Sequence, residues 1–385
     1  MLLKNGSVFL DKKFVPADLL VKDGKISAVW EYPEKTGRSY PEEEIIDCAG
    51  NMIWPGLFDL HTHGCLGYDF TKSSPDKILK MCLFYAAHGV TSVLATTMTN
   101  ADTQYARAMG YIRQAMDMQK NGKDGSVGAG LRGIYMEGPF FSPAKKGAHD
   151  EKYLRPLSQS LIDEYQKLSN NAIRLLALDP SLPGAAEFIR DNIEKFTISI
   201  AHTDCDYETA LAAANAGATH VTHLFNAMRP LLHRAPGVVG AAYTAGLNAE
   251  IICDGIHVHP AVIGLIFSAM PGHILLVSDS INPTGLSDGD YMAGGLSIKV
   301  KDHRAYLPDG TLAGSTITLF DAVKNAVDFH IPLETALYAA TALPAKAVGL
   351  EEEVGSIACG RDADLLIVDG QLTLKKVMIG GKLLD

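Results

Sequence analysis

Eight short apolar runs mark the middle of the chain: Met52–Leu60, Val90–Thr97, Leu131–Met136, Ala172–Leu178, Thr197–Ala201, Thr219–Thr222, Ala249–Cys253 and Ile274–Ser278. Each has the length of a strand, and most are apolar at consecutive rather than alternating positions. That pattern belongs to strands buried on both faces. Between most of them lie stretches with helix start and stop signals. In SPDKILKMCLFYAAHG (74–89) a Ser precedes Pro in the first turn and a Gly closes the run, and DYETALAAANAG (206–217) is similar. Eight strands alternating with helices predict an α/β fold, a parallel (β/α)8 TIM-like barrel over residues 54–343. The two ends read differently. Residues 2–30 and 354–385 carry short alternating runs broken by hairpin signals such as KNG and KDGK. Neither end has enough apolar surface to stand alone, so residues 1–53 and 344–385 are expected to build one small β-sandwich domain. Two connections are long: 224–248 is irregular, and 280–312 leaves room for an inserted hairpin.

Composition narrows the picture. The 385 residues are 47% hydrophobic and 20% charged, as in a soluble protein with a large core. No apolar stretch approaches the roughly 20 residues of a membrane span. The opening MLLKNGSVFLDKK has no sustained apolar signal region, so a cytoplasmic location and no membrane partner are expected. Six cysteines without CxxC spacing fit free thiols in a reducing compartment. A net charge of −10 with no long basic run argues against nucleic acid.

Candidate chemistry sits where the runs stop. The first ends in His61 and His63, the third in Glu137, the fifth in His202, the sixth in His223 and the eighth in Asp279. Residues i and i+2 of a strand share a face, so His61 and His63 can grip one object. Barrel active sites lie at the C-terminal ends of the strands, which puts all six on one rim. Four imidazoles and two carboxylates suit zinc, iron(II), manganese or cobalt, and the absence of thiolates points to a catalytic site. Glu137 can bridge two ions, with His61 and His63 on one and His202 and His223 on the other. Taken singly, each residue has a plain reading as a surface or packing group; it is the six together that speak for a metal. His220, three residues before His223, reads as packing or surface. His88, His273, His303 and His330 read as incidental, and His259 as the start of a helix.

The set DLHTHG, MEGPF, AHTD, THLFNAM, DGIHVHP and SDS resembles the amidohydrolase superfamily along the whole chain, and within it the deacetylases of phosphorylated amino sugars. The resemblance implies that Glu137 is the shared metal ligand, that His202 and His223 complete its site, and that His61, His63 and Asp279 hold a second ion. One to two divalent ions per chain are expected, with zinc and iron(II) foremost. Many amidohydrolases bridge their metals with a carboxylated lysine from strand four; AIRLLALDP has none. By the same route His149 meets sugar hydroxyls, the amides of Asn226 and Ala227 hold a phosphate, and His257 and Arg234 supply charge to it, one or both across a homodimer interface. Arg229 and Arg234 also read as solvated loop cations, and Lys145 and Lys146 as surface charges. The implied activity is metal-dependent hydrolysis of N-acetyl-D-glucosamine 6-phosphate to acetate and D-glucosamine 6-phosphate, with Asp279 as proton carrier. Two rivals stand beside it: another amidohydrolase reaction on a cyclic amide or a heterocyclic amine, and a sugar-phosphate binding protein without catalysis.

Overall fold

The computed structural model describes residues 1–31, 44–122 and 127–384. Eight parallel strands form one sheet: β1 (Leu57–Thr62), β2 (Val90–Thr97), β3 (Gly130–Glu137), β4 (Ile173–Leu178), β5 (Thr197–Ile200), β6 (His220–Val221), β7 (Asn248–Ile252) and β8 (Ile274–Val277). Each pairs with its sequence neighbour. Beyond β8 the chain returns to β1: Thr62 bridges Ser280, and the Asp279 N–H donates to the His61 carbonyl at 2.8 Å. The barrel expected from the alternation is the fold observed.

Side-chain direction follows the strand period. Leu94, Tyr135, Leu175 and Ala177 point into the barrel with Phe58 and Leu60. Their neighbours Val93, Ala95, Ile134, Met136, Leu176 and Leu178 point outward to the surrounding helices. Burial on both sides explains why all eight residues of β2 are buried. The barrel's lower interior is filled by Leu343, Ala345, Val348, Leu350 and Val354. The site therefore stands on packed hydrocarbon, not over a pore.

Helix signals act as their chemistry dictates. Asp206 caps Tyr207–Ala216 by accepting from the Thr209 N–H at 2.9 Å, and Gly217 ends it at φ 117°. The Pro75–Ala87 helix has Pro at its start, but the Ser74 hydroxyl makes no capping hydrogen bond. The stretch after β8 holds a three-stranded antiparallel sheet (Gly289–Ala293, Leu296–Lys301, Arg304–Tyr306), one strand more than a hairpin.

The termini share a mostly antiparallel eight-stranded sheet. The apolar run Met52–Leu60, read as one strand, is two. Met52–Pro55 pairs with Leu365–Val368 in the terminal sheet, and β1 begins at Leu57. Gly56 makes the switch. A Cβ there would lie 2.0 Å from Thr91 Oγ1, so only glycine lets the backbone pass. Residues 32–43 of the N-terminal segment lie outside the described residues.

Arg132, on β3, ties barrel to terminal sheet through Asp362 at 2.9 Å and Asp364 at 3.2 Å, and its Nε donates to Ser92 Oγ at 3.1 Å. Asp364 is nearly buried, so loss of the guanidinium strands a carboxylate. Arg132→Ala is expected to cost about 2 kcal/mol of stability, read as a lower urea midpoint. An unchanged midpoint would show that this ion pair does not hold the two sheets together.

Candidate metal centre

His61 is the penultimate residue of β1 and His63 follows that strand. Glu137 is the last residue of β3. His202, His223 and Asp279 each stand two residues past the end of β5, β6 and β8. All six are buried. Three of them hold left-handed backbone: His202 at φ 43°, His223 at φ 27° and Asp279 at φ 47°. Such angles are unfavourable for residues with a Cβ and gather where a site dictates side-chain direction.

The side chains meet around Glu137. Its Oε1 lies 3.1 Å from His202 Nε2 and 3.0 Å from His223 Nε2. Its Oε2 lies 3.0 Å from His63 Nε2 and 3.6 Å from His61 Nε2. Asp279 Oδ1 is 3.3 Å from His63 Nε2 and 3.4 Å from His61 Nε2. The paired imidazoles face each other, with Nε2 atoms 3.2 Å apart in His61–His63 and 3.1 Å apart in His202–His223.

The outer partners say which nitrogens carry protons. His202 Nδ1 donates to the Lys145 carbonyl at 2.9 Å, and His61 Nδ1 donates to the Glu250 carboxylate at 2.8 Å. In a neutral ring the other nitrogen then has a bare lone pair. Those lone pairs point at carboxylate oxygens and at the Nε2 atoms of His63 and His223, which is repulsive unless a proton or a cation lies between. The donor set thus fits a divalent metal ion, and His61, His63 and Asp279 form one group close enough to share one. His149 Nδ1 lies 2.8 Å from Thr99 Oγ1 and 3.3 Å from the Thr99 backbone nitrogen, and its Nε2 lies 3.4 Å from Glu137 Oε2. Glu137, His149 and His202 form a second group close enough to share an ion, a position for His149 that the sequence reading did not give it.

Electrostatics agree. Burial opposes charge on Glu137, yet His61, His149 and His202 hold its carboxyl well below the ordinary range. Burial likewise opposes charge on Asp279, and His61 and His63 hold it below that range too. Burial works against a proton on His63, but hydrogen bonds to Asp279 and Glu137 push it up to about 9. His61 is driven well above its ordinary value, against burial, by Glu250, Asp279 and Glu137. His202 goes the other way: burial and the neighbouring His149 bring it down to about 4.

The centre floors a cavity of about 440 Å³, a size suited to a small ligand. Asn226, Ala227, His257 and Lys146 line it, with Ile281, Ala293, Ile298 and Leu312 as an apolar wall. His257 Nδ1 is fixed by Asp254 at 2.6 Å. The Asn226 backbone N–H already donates to the His223 carbonyl at 3.0 Å. Arg234 is exposed on the 229–235 loop and does not line this cavity. The structure thus brings together the six proposed ligands, His149, Asn226, Ala227 and His257, and leaves Arg234 apart.

Sequence reasoning missed Glu250, Asp59 and the part played by His220. His220 is fully buried, and its Nε2 lies 3.0 Å from Glu250 Oε1, so it is neither surface nor plain packing. Asp59 accepts from the backbone N–H groups of His61 and Ser278, and burial pushes it up to about 7. The signal available for both carboxylates was a lone acid inside an apolar run, LFDLH and NAEIIC.

The amidohydrolase family pattern matches residues 52–384, and the chain belongs to that family. It is 35% identical over 373 residues to an N-acetylglucosamine-6-phosphate deacetylase of Bacillus subtilis, covering 96% of this chain and 93% of the relative. It is 33% identical over 365 residues to the enzyme of that name from Vibrio furnissii, covering 94% and 89%. The crystal structure of N-acetylglucosamine-6-phosphate deacetylase from Pasteurella multocida superposes with a TM-score of 0.91 at 30% identity, covering 100% of this chain and 99% of that one.

Elemental analysis of chain purified without chelator is expected to find one to two divalent transition-metal ions per chain. Glu137→Ala, which removes the carboxylate between the two imidazole pairs, is expected to bind none tightly. Full metal content in that variant would exclude Glu137 as a shared ligand.

Proposed function

We propose that this chain hydrolyses the acetamide of N-acetyl-D-glucosamine 6-phosphate to acetate and D-glucosamine 6-phosphate. The observation that carries the reading is the ring of inward-facing imidazoles and carboxylates on the barrel rim, in a chain whose relatives bear that activity in their names. His61, His63 and Asp279 would hold one ion and Glu137, His202 and His223 the other, with Glu137 also reaching the first. A bound divalent ion, zinc or iron(II) for these donors, supplies Lewis acidity to the amide carbonyl and lowers the pKa of water toward neutrality.

The chain's own groups do the rest. Asp279, held ionised by His61 and His63, takes the proton of the attacking water on its carboxylate. It then returns that proton to the departing nitrogen, which cannot leave as an amide anion. His149, which lines the cavity beside Glu137, orients the sugar ring. Asp254 fixes the His257 ring at the cavity wall, where it meets the phosphate with the Asn226–Ala227 turn. Arg234, exposed and outside its own cavity, serves the phosphate in the partner subunit of a homodimer, and its planar fork suits phosphate oxygens.

A cytoplasmic setting belongs to the same reading. All six cysteines are unpaired, and among the described residues no helix is long and apolar enough to cross a membrane. A cyclic-amide hydrolase with a lysine bridge is not favoured, because β4 and its flanks carry no lysine.

Acetate release from N-acetylglucosamine 6-phosphate, abolished by a chelator and restored by added metal, is the primary test. A substrate panel in which heterocyclic amides turn over and this sugar does not would replace the reading. Asp279→Asn is expected to lower kcat by about 10²–10⁴-fold with the folded chain still binding metal. Near-normal turnover would remove Asp279 as proton carrier. Arg234→Ala is expected to lower kcat/KM by about 10- to 100-fold for the phosphorylated sugar. Unphosphorylated N-acetylglucosamine should be almost unaffected, and equal losses on both would cancel the phosphate assignment.

A further inference from the structure

We propose that Glu250 is a positioning residue that fixes His61 as an Nε2 ligand of the metal centre. The inference rests on the metal-dependent reading above. Glu250 stands mid-strand in β7, fully buried, in an otherwise apolar stretch. Both of its oxygens are occupied. Oε2 accepts from His61 Nδ1–H at 2.8 Å and from the His223 backbone N–H at 3.1 Å; Oε1 accepts from His220 Nε2–H at 3.0 Å. One oxygen therefore touches a ligand ring of one half-site and the backbone of a ligand in the other.

Burying a carboxylate is costly, and structure alone does not demand one here. The matching nitrogen of His202 is held by a neutral carbonyl, that of Lys145. Among the described residues, the Nδ1 atoms of His63 and His223 are buried without a protein partner. The four imidazoles are thus backed unequally, and only His61 has a full negative charge behind it. A carboxylate behind a ligating imidazole fixes the tautomer and ring direction and makes the inner nitrogen a stronger donor.

Glu250→Gln isolates the charge. The amide oxygen can still accept from His61 and His223 while its NH2 faces His220. His220 can then carry its proton on Nδ1, which has no partner now, so the packing is retained. The experiment titrates metal-stripped, full-length chain with zinc against a chromophoric chelator, for the wild type, Glu250→Gln and His63→Ala. The binding step lost in His63→Ala identifies the ion of that half-site. In Glu250→Gln that step is expected to weaken by about 10- to 100-fold, with the other step changed by less than about tenfold. Unchanged affinities in a folded variant overturn the proposal, and so does equal weakening of both steps. A wild type that binds no zinc overturns the metal reading itself, a separate outcome. Should Glu250→Gln fail to fold, histidine-labelled wild type loaded with zinc decides by two-bond 15N correlation. A proton on Nδ1 of His61 with Nε2 coordinated supports the role; a proton on Nε2 overturns it.

Discussion

The structure depends on one electrostatic fact: too many lone pairs are aimed at one place. Outer acceptors take the Nδ1 protons of His61 and His202, so in the neutral rings the inner nitrogens are bare. These face Glu137, Asp279 and other imidazoles at 3.1–3.6 Å. In a buried place such repulsion is relieved by protons or by a cation. Protons relieve it only in part. His63 takes one up readily, whereas His202 stays neutral down to about 4. Divalent ions, one to each half-site, would satisfy the inward donors. On this view the metal supplies the charge that lets the geometry exist.

Barrel closure and ligand spacing are the same construction. The Asp279 N–H bonds to the His61 carbonyl at 2.8 Å, and the His63 N–H bonds to the Ser280 carbonyl at 2.7 Å. The first and last strands therefore cannot shift without moving the donors of the His61 half-site. Ser278 and Asp59 reinforce the seam below them. Placing the ligands at strand ends gives them the rigidity of the sheet, and the left-handed turns at His202, His223 and Asp279 aim them inward. Positions held this firmly are what water attack on an amide requires, since small displacements of reacting groups cost large factors in rate.

Much of this was readable in the chain. Buried parallel strands are consecutively apolar, so polar residues at their ends stand out: His61, Glu137, His202, His223 and Asp279 were visible by contrast. Glu250 and Asp59 were hidden for the complementary reason. Both sit inside apolar strands, where a single acid looks like an accident until its partners, which lie far away in sequence, are brought to it. Gly56 was unreadable as a boundary because the clash it avoids is with Thr91, 35 positions on.

Charge balance bears on how many ions the centre takes. Glu137, Glu250 and Asp279 are all held in their charged form, and Asp59, pushed up to about 7, adds a partial charge. The imidazoles between them are neutral when they act as ligands. One divalent ion leaves this floor net negative, beneath a cavity proposed to receive a phosphorylated sugar in a chain of net charge −10. A second ion brings the floor close to neutral, and the repulsion between floor and ligand disappears. The intact His61–His63 pair, with Glu250 behind His61, offers donors to that second ion. Such an ion would act through the field that the proposed phosphorylated sugar meets on entry, as well as through the chemistry at the amide.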